Sequence, residues 1–257
     1  MYDDYDDYDD YGGREAAGAS SWYGDRRPDR EEVVHLCPEC RDLMGAVVGY
    51  ARSLPEPRRE PDWSRALRWL DSVCGGRDAV LGLDTVPLAD DGLELPDGLP
   101  PGHRQRLESC LVLLDATARQ FFDEETGIAL RRGLVRLHER APGVVTGTRS
   151  ASLLTLGVVW AVGHANGQLF PRGVVTEKEL KPYLNATQGG STIGAKVRDA
   201  LAGPFGWSPV DRPWSYGGQS RDLLPLGHAD LLVSSVRRQL LGVRERALAA
   251  QVREEVA

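Results

Sequence analysis

The stretch TEKELKPYLNATQGGSTIGAKVRDAL combines helix signals with side chains of the kind that contact nucleic acid. Thr176 and Glu179 have the spacing of a capping box, which satisfies free amides at a helix start. Asn185 can end this helix in a left-handed conformation, and Gly189 with Gly190 permits a sharp turn. Two short helices joined by such a turn outline a helix-turn-helix, whose second helix contacts DNA.

The second predicted helix has a buried row and a polar remainder. Ile193, Val197 and Leu201 recur every four residues and are expected to face inward, while Ser191 or Thr192 is expected to cap the helix. The other side chains are of types that bond phosphates and base edges. Together with two arginines further along the chain, they are the predicted DNA-binding residues: Gln188, Ser191, Thr192, Lys196, Arg198, Arg212 and Arg221.

A second motif, the pair Cys37 and Cys40, has the Cys-x2-Cys spacing that supplies two of the four ligands of a zinc ion. No second pair with this spacing follows in the sequence, so a structural zinc site would need ligands from other positions. The candidate ligands are His35, Cys37, Cys40 and Cys74. The alternative is that the thiols are structural. Cys110 lies within an apolar helical pattern and is assigned to the core.

The sequence contains no phosphate loop, no Gly-x-Ser-x-Gly elbow and no His-Glu-x-x-His motif. Asp123, Glu124 and Glu125 form a carboxylate run, but consecutive helical residues point in different directions. We therefore interpret this run as a solvated helix start. These patterns favour a protein that is not an enzyme and has no cofactor other than the candidate zinc.

The charge of the chain is unevenly distributed. Residues 1–32 hold eleven acids and four bases, a surplus equal to the whole formal net charge of −7. A neutral remainder is not typical of a strongly non-specific nucleic-acid binder, but residues 183–244 carry seven bases against four acids. The acidic arm over residues 1–30 is predicted to be disordered. It either competes with DNA for the basic surface or only solvates the chain.

Helical periodicity over most of the remaining chain predicts a mainly α fold, a helical bundle with a C-terminal helix-turn-helix. The predicted parts are a disordered acidic tail over 1–30, an N-terminal helical region over 31–145 and a C-terminal helical domain over 146–257. Within the N-terminal region, Thr126 and Gly127 are expected to separate two helices.

Residues 150–169 are predicted to form a central buried helix, because they are apolar on nearly every face. His164 and Asn166 at its end are expected to cap it or to satisfy buried carbonyl groups. Further along, Gly217 with Gly218 can turn a short β-hairpin, in the position where a winged helix-turn-helix carries its wing.

The N-terminus is acidic and lacks the apolar core of a secretory signal, and the apolar run over 150–165 is too short to span a bilayer. We therefore expect a cytoplasmic protein with reduced cysteines.

The order of motifs over residues 120–245 resembles that of an actinobacterial protein family with no assigned activity, in the segments VVWAVGHANGQLF, VTEKEL and PLGHADLLVSSVRRQLL. The apolar helix, the VTEKEL-type helix and the basic helix are also similar to the cyclin-box repeat of transcription factor B. This resemblance implies helical binding of DNA or protein, with Thr192, Lys196 and Arg198 as analogues of recognition-helix residues. The chain differs from that family in having one such unit and no four-cysteine ribbon.

The sequence thus predicts a DNA-binding protein, a candidate transcriptional regulator, with a helix-turn-helix at residues 176–201. The basic residues Lys196, Arg198, Arg212 and Arg221 would hold phosphates, while Gln188, Ser191 and Thr192 would approach base edges. The alternative is a helical scaffold that binds a partner protein, or a second copy, through its C-terminal helix and does not bind DNA.

Overall fold

The computed structural model describes residues 42–47, 50, 60–90, 92–203 and 223–256. The contact pattern divides the chain into two units, Met1–Arg58 and Arg59–Ala257. In the first unit the described residues include a helical segment over 42–47. The predicted acidic tail and the predicted hairpin turn at Gly217 and Gly218 lie outside the described residues.

The second unit is helical, which confirms the predicted mainly α fold. Its α-helices are α1 (Asp62–Cys74), α2 (Arg77–Leu81), α3 (Pro101–Phe121), α4 (Glu124–Arg140), α5 (Pro142–Gly147), α6 (Ala151–Ala165), α7 (Glu177–Tyr183), α8 (Gly190–Ala202) and α9 (Ser234–Val256). A 3-10 helix spans Ala229–Leu231. Among the described residues, β-type pairing is limited to an isolated bridge between Leu169 and Val175.

α6 is the central helix, as predicted for residues 150–169. It packs against α3, α4 and α8, and most of its side chains are buried. The hydroxyl of Ser150 accepts a hydrogen bond from the Leu153 N–H at 3.2 Å and starts the helix. Because helices from both sides of residue 145 contact α6, the residues on either side of the predicted domain boundary share one core.

The Asn166 side chain links the end of α6 to the segment before α9 by hydrogen bonds. Its side-chain amide donates to the carbonyl oxygens of Val162 and Leu231 at 3.0 and 2.9 Å. Its side-chain oxygen accepts from the Val233 N–H at 2.7 Å. The expectation that Asn166 satisfies buried carbonyl groups is confirmed.

The apolar stripe of α9 is used within the chain. α9 packs along α1, and Val236, Leu240, Val243 and Ala247 are buried there. Nearer the end of α9, Val252 and Val256 are 59% and 84% exposed. The surface that α9 offers to another protein is therefore its last turns.

The break between α3 and α4 differs from the prediction. It falls at Phe122 and Asp123, and the Asp123 carboxylate caps α4 by accepting from the Thr126 N–H at 2.8 Å. Thr126 and Gly127 lie inside α4, so the expected separation at these two residues is wrong. The boundary between the two helices is therefore marked by the Asp123 carboxylate at the start of α4, and not by Gly127.

Glu125 corrects the expectation of a solvated carboxylate run. Its carboxylate accepts from the Leu88 N–H at 2.9 Å, and from the N–H and hydroxyl of Ser234 at 2.6 and 2.8 Å. Burial by itself raises the pKa of Glu125, but these hydrogen bonds and the nearby Arg237 outweigh it and lower the pKa. The charged side chain therefore joins the start of α4 to the start of α9.

Candidate nucleic-acid interface

The first helix of the predicted helix-turn-helix begins as the sequence indicated. The Glu179 carboxylate accepts hydrogen bonds from the N–H and the hydroxyl of Thr176, both at 2.8 Å, in a capping box. α7 contains Pro182 and is seven residues long, as expected for a helix shortened by proline. Asn185 follows with a φ of 50°, which confirms the predicted left-handed helix end.

α8 is capped from α7 and not by its own side chains. The Gly190 N–H donates to Oε1 of Glu177 at 2.8 Å. Ser191 and Thr192 lie inside the first turn of α8, and no side chain of its own N-cap residue bonds the helix, so the predicted Ser or Thr cap is wrong. The Glu177 carboxylate instead joins the two helices and suits the positive end of the α8 dipole.

Glycines allow α8 to lie very close to α6. A Cβ atom added at Gly190 would come within 2.9 Å of Leu156 Cγ, and one added at Gly157 within 2.8 Å of Ile193 Cγ1. Both distances are shorter than normal carbon contacts. Gly190 was predicted to form the turn. Its lack of a side chain instead permits close packing of α8 against α6.

The inner row of α8 is confirmed, and its outer face is polar. Ile193, Val197 and Leu201 are buried in the core. Four of the predicted DNA-binding side chains are exposed at the start and along the outer face of the helix: Gln188, Ser191, Thr192 and Lys196. Gln188, Thr192 and Lys196 line one groove, whereas Ser191 points about 140° away from Lys196 around the helix axis.

Arg198 lies apart from Lys196. It follows Lys196 by two positions, which is about 200° around a helix axis, so the two side chains leave opposite edges of the exposed face. Nε of Arg198 donates to Oδ1 of Asp199 at 2.7 Å, and the arginine side chain is 26% exposed. The charges of Arg198 and Asp199 thus largely offset each other on the surface of α8.

A groove runs between α8 and the turn that joins α5 to α6. Its volume is about 470 Å³, within the range of roughly 300–1,000 Å³ typical of ligand clefts. Thr192 and Lys196 line it from α8, and Arg149 lines it from the turn. Among the described residues, neither Arg149 nor Lys196 makes an ion pair.

A second cavity, of about 400 Å³, borders the residues that support α8. Its walls include Trp160, His164 and Glu177. The rings of Trp160 and His164 meet edge to face with their centroids 4.7 Å apart. Burial lowers the pKa of His164, while the Glu177 charge acts in the opposite direction. His164 therefore belongs to the packing beneath the helix-turn-helix and favours its neutral form.

The described structure does not bring the remaining predicted site residues together into a site. Arg212 and Arg221 lie outside the described residues, as do His35, Cys37 and Cys40 of the candidate zinc site. Cys74 is buried in the core of the second unit, and burial raises the pKa of its thiol to about 12. Within the described part of the chain, no three His, Cys, Asp or Glu side chains lie together as metal ligands. Cys110 is fully buried, as predicted.

Two residues of this interface were not found from the sequence. Glu177 was overlooked because its partner, Gly190, lies across the turn, beyond the reach of capping rules for one helix. Arg149 was overlooked because it precedes the predicted motif and belongs to a turn with no periodic signal. A basic residue next to the Ser150 cap is the signal that could have drawn attention to it.

Comparisons with protein-family models, curated proteins and solved structures found no match. None of the described helices has the length and apolar character needed to cross a membrane.

We expect Glu177→Ala to lower the free energy of unfolding by about 1 kcal/mol, the usual cost of losing a helix cap. Glu177→Gln should cost less, because the amide oxygen can still accept from the Gly190 N–H. Lys178→Ala is the matched control, since Lys178 is exposed and adjacent. Urea unfolding of the three variants measures the difference, and equal losses for Ala and Gln at residue 177 would contradict the hydrogen-bond role.

Proposed function

We propose that the protein binds duplex DNA through α7 and α8, with the exposed face of α8 against the DNA. The observation that carries this proposal is that Gln188, just before α8, and Thr192 and Lys196 on α8 are exposed and line one groove, while the opposite face of α8 is buried. Amide and hydroxyl groups bond base edges, and an unpaired lysine contacts phosphate.

The supports of α8 favour this function because a DNA-contacting helix must hold its orientation. Glu177 bonds the start of α8, and the glycine contacts with α6 place its inner face against the central helix. The outer side chains are thus presented by a rigid element, which positions functional groups better than a loop does.

The charges near α8 also favour DNA. Asp199 is the acid on the exposed part of α8, and its ion pair with Arg198 offsets its charge. Lys196 on α8 and Arg149 beside it are left as cations without an acidic partner among the described residues. A surface of this kind supports moderate, salt-dependent binding and not a strongly basic, non-specific mode.

Fluorescence anisotropy with a random-sequence duplex at low and physiological salt tests the proposal. We expect binding that weakens with salt, and we expect Lys196→Ala to reduce the salt slope by about 1 because one phosphate contact is lost. Arg198→Ala should change binding less, since that arginine is paired with Asp199. Arg253→Ala, an exposed arginine in the last turn of α9, controls for loss of one positive charge.

An absence of binding at low salt would overturn the DNA proposal. It would favour the helical scaffold instead, for which the last turns of α9 and the exposed face of α8 are the surfaces to examine. A Lys196→Ala protein that binds as the wild type does would remove α8 as the contact, even if the duplex binds elsewhere on the chain.

A further inference from the structure

The groove between α8 and the turn from α5 to α6 has the charge of an anion site. Eleven residues line it, and the charged ones are Arg149 and Lys196, both basic. Both are exposed, and neither has an acidic partner within the described structure. Two cations without a counter-charge, on different elements around one depression, attract an anion that can approach both.

The shape of the groove suits a chain that passes through it. Gly143 and Gly147 form part of the wall on α5, and a Cβ added at either one would meet no atom within 4 Å. The groove is therefore open on this side and not a closed pocket. A strand of phosphodiester backbone needs such an open path, whereas a small enclosed ligand does not.

The first amide of α8 is not free to bind an anion. A free helix N-terminus attracts phosphate, but the Gly190 N–H already donates to Glu177. The proposed site relies on the side chains of the lining. Arg149, Lys196, the amide of Gln188 and the hydroxyl of Thr192 are donors in its lining that suit a phosphate.

We propose that this groove holds one phosphate of the DNA backbone, contacted by Arg149 on one side and by Lys196 on the other. The proposal rests on DNA binding by α8 and adds a contact from outside the helix-turn-helix. It also gives α8 a fixed register, because a phosphate held from two elements positions the helix face over the neighbouring bases.

A double-mutant cycle separates one shared phosphate from two independent contacts. The proteins are the full chain, Arg149→Gln, Lys196→Gln, the double variant, and Arg253→Gln as a control with the same loss of charge. Anisotropy at several salt concentrations gives both the dissociation constant and its salt slope. Each phosphate contact contributes about 0.9 to the slope for duplex DNA.

For a shared phosphate, we expect the double variant to lose about 0.9 of the slope, whereas two independent phosphates would remove about 1.8. The increase in dissociation constant in the double variant should be smaller than the product of the two single increases. Arg253→Gln should leave the slope within error of the wild type. Circular dichroism and urea unfolding check that all variants fold alike.

The other outcomes overturn the proposal in distinguishable ways. If the wild-type protein binds DNA but Arg149→Gln matches Arg253→Gln, the groove is not a phosphate site and DNA binding by α8 still stands. If the two substitutions act additively, Arg149 and Lys196 contact separate phosphates and the shared site is wrong. If the wild-type protein does not bind duplex DNA, the groove proposal and the proposed function both fail.

Discussion

Replacing Asn166 by Asp should lower the free energy of unfolding by about 3 kcal/mol or more at pH 7, the usual cost of an uncompensated buried charge. Asn166 is 4% exposed and makes three hydrogen bonds, donating two and accepting one. A carboxylate can still accept from the Val233 N–H, but it cannot donate. Its second oxygen would then face the carbonyl oxygens of Val162 and Leu231.

This loss should depend on pH with a definite sign. Burial and the two facing carbonyl oxygens raise the pKa of the new carboxyl in the folded protein above its unfolded value of about 3.9. Between these two pKa values the folded state binds more protons than the unfolded state, so stability falls as the pH rises. The difference between Asn166→Asp and the wild type should therefore be smaller at pH 5 than at pH 7.

Urea unfolding at both pH values measures this, with the wild type as reference at each. Asn185→Asp is the matched control, because Asn185 is exposed and aspartate tolerates its left-handed backbone. The control should change stability by less than about 0.5 kcal/mol. Equal losses at the two positions, or a loss at residue 166 that does not vary with pH, would contradict the buried hydrogen-bond arrangement.

The helices of this protein could be predicted from its sequence because their signals are local. The apolar character of residues 151–165 indicates burial on all faces, and α6 is the central helix. The row Ile193, Val197 and Leu201 indicates the inner face of α8, and all three are buried. The remaining positions, Lys196 among them, then form the outer face.

The contacts between distant parts of the chain could not be predicted. In the sequence, Glu125 is one of three consecutive acids, but in the structure its carboxylate accepts two hydrogen bonds from Ser234. Arg149 reads as an exposed turn residue, yet the fold brings it to the groove beside Lys196. Periodicity and capping rules describe neighbours within one element, whereas these pairs depend on how the helices pack.

The structural role of a glycine could not be predicted from the sequence for a related reason. A glycine can supply a positive φ at a turn, or it can permit a close approach between elements. Gly189 and Gly190 were assigned to the turn, but the positive φ between α7 and α8 belongs to Asn185. Gly190 instead lies against Leu156. The sequence gives no indication of which use applies, since the difference lies in the neighbouring helix.

Gly194 is the position where this second use should matter most. A Cβ atom added there would lie 2.8 Å from Cγ of Trp160 and closer still to two other atoms of the indole ring. The ring cannot retreat freely, because its other contacts include the edge-to-face arrangement with His164. α8 must therefore move away from α6, or the indole must leave its place, when residue 194 carries a side chain.

We expect Gly194→Ala to lower the free energy of unfolding by about 1–3 kcal/mol, as overpacking in a close-packed core does. This loss would occur even though alanine is intrinsically better than glycine in a helix by about 1 kcal/mol. Gly102→Ala in the first turn of α3 is the matched control, because its added Cβ meets no atom within 4 Å. The control should be neutral or slightly more stable than the wild type.

A Gly194→Ala protein as stable as the control would show that α8 does not depend on close contact with α6. If instead stability falls as expected, DNA binding by the folded fraction of Gly194→Ala becomes informative, since a displaced α8 would carry Thr192 and Lys196 away from their places beside the groove.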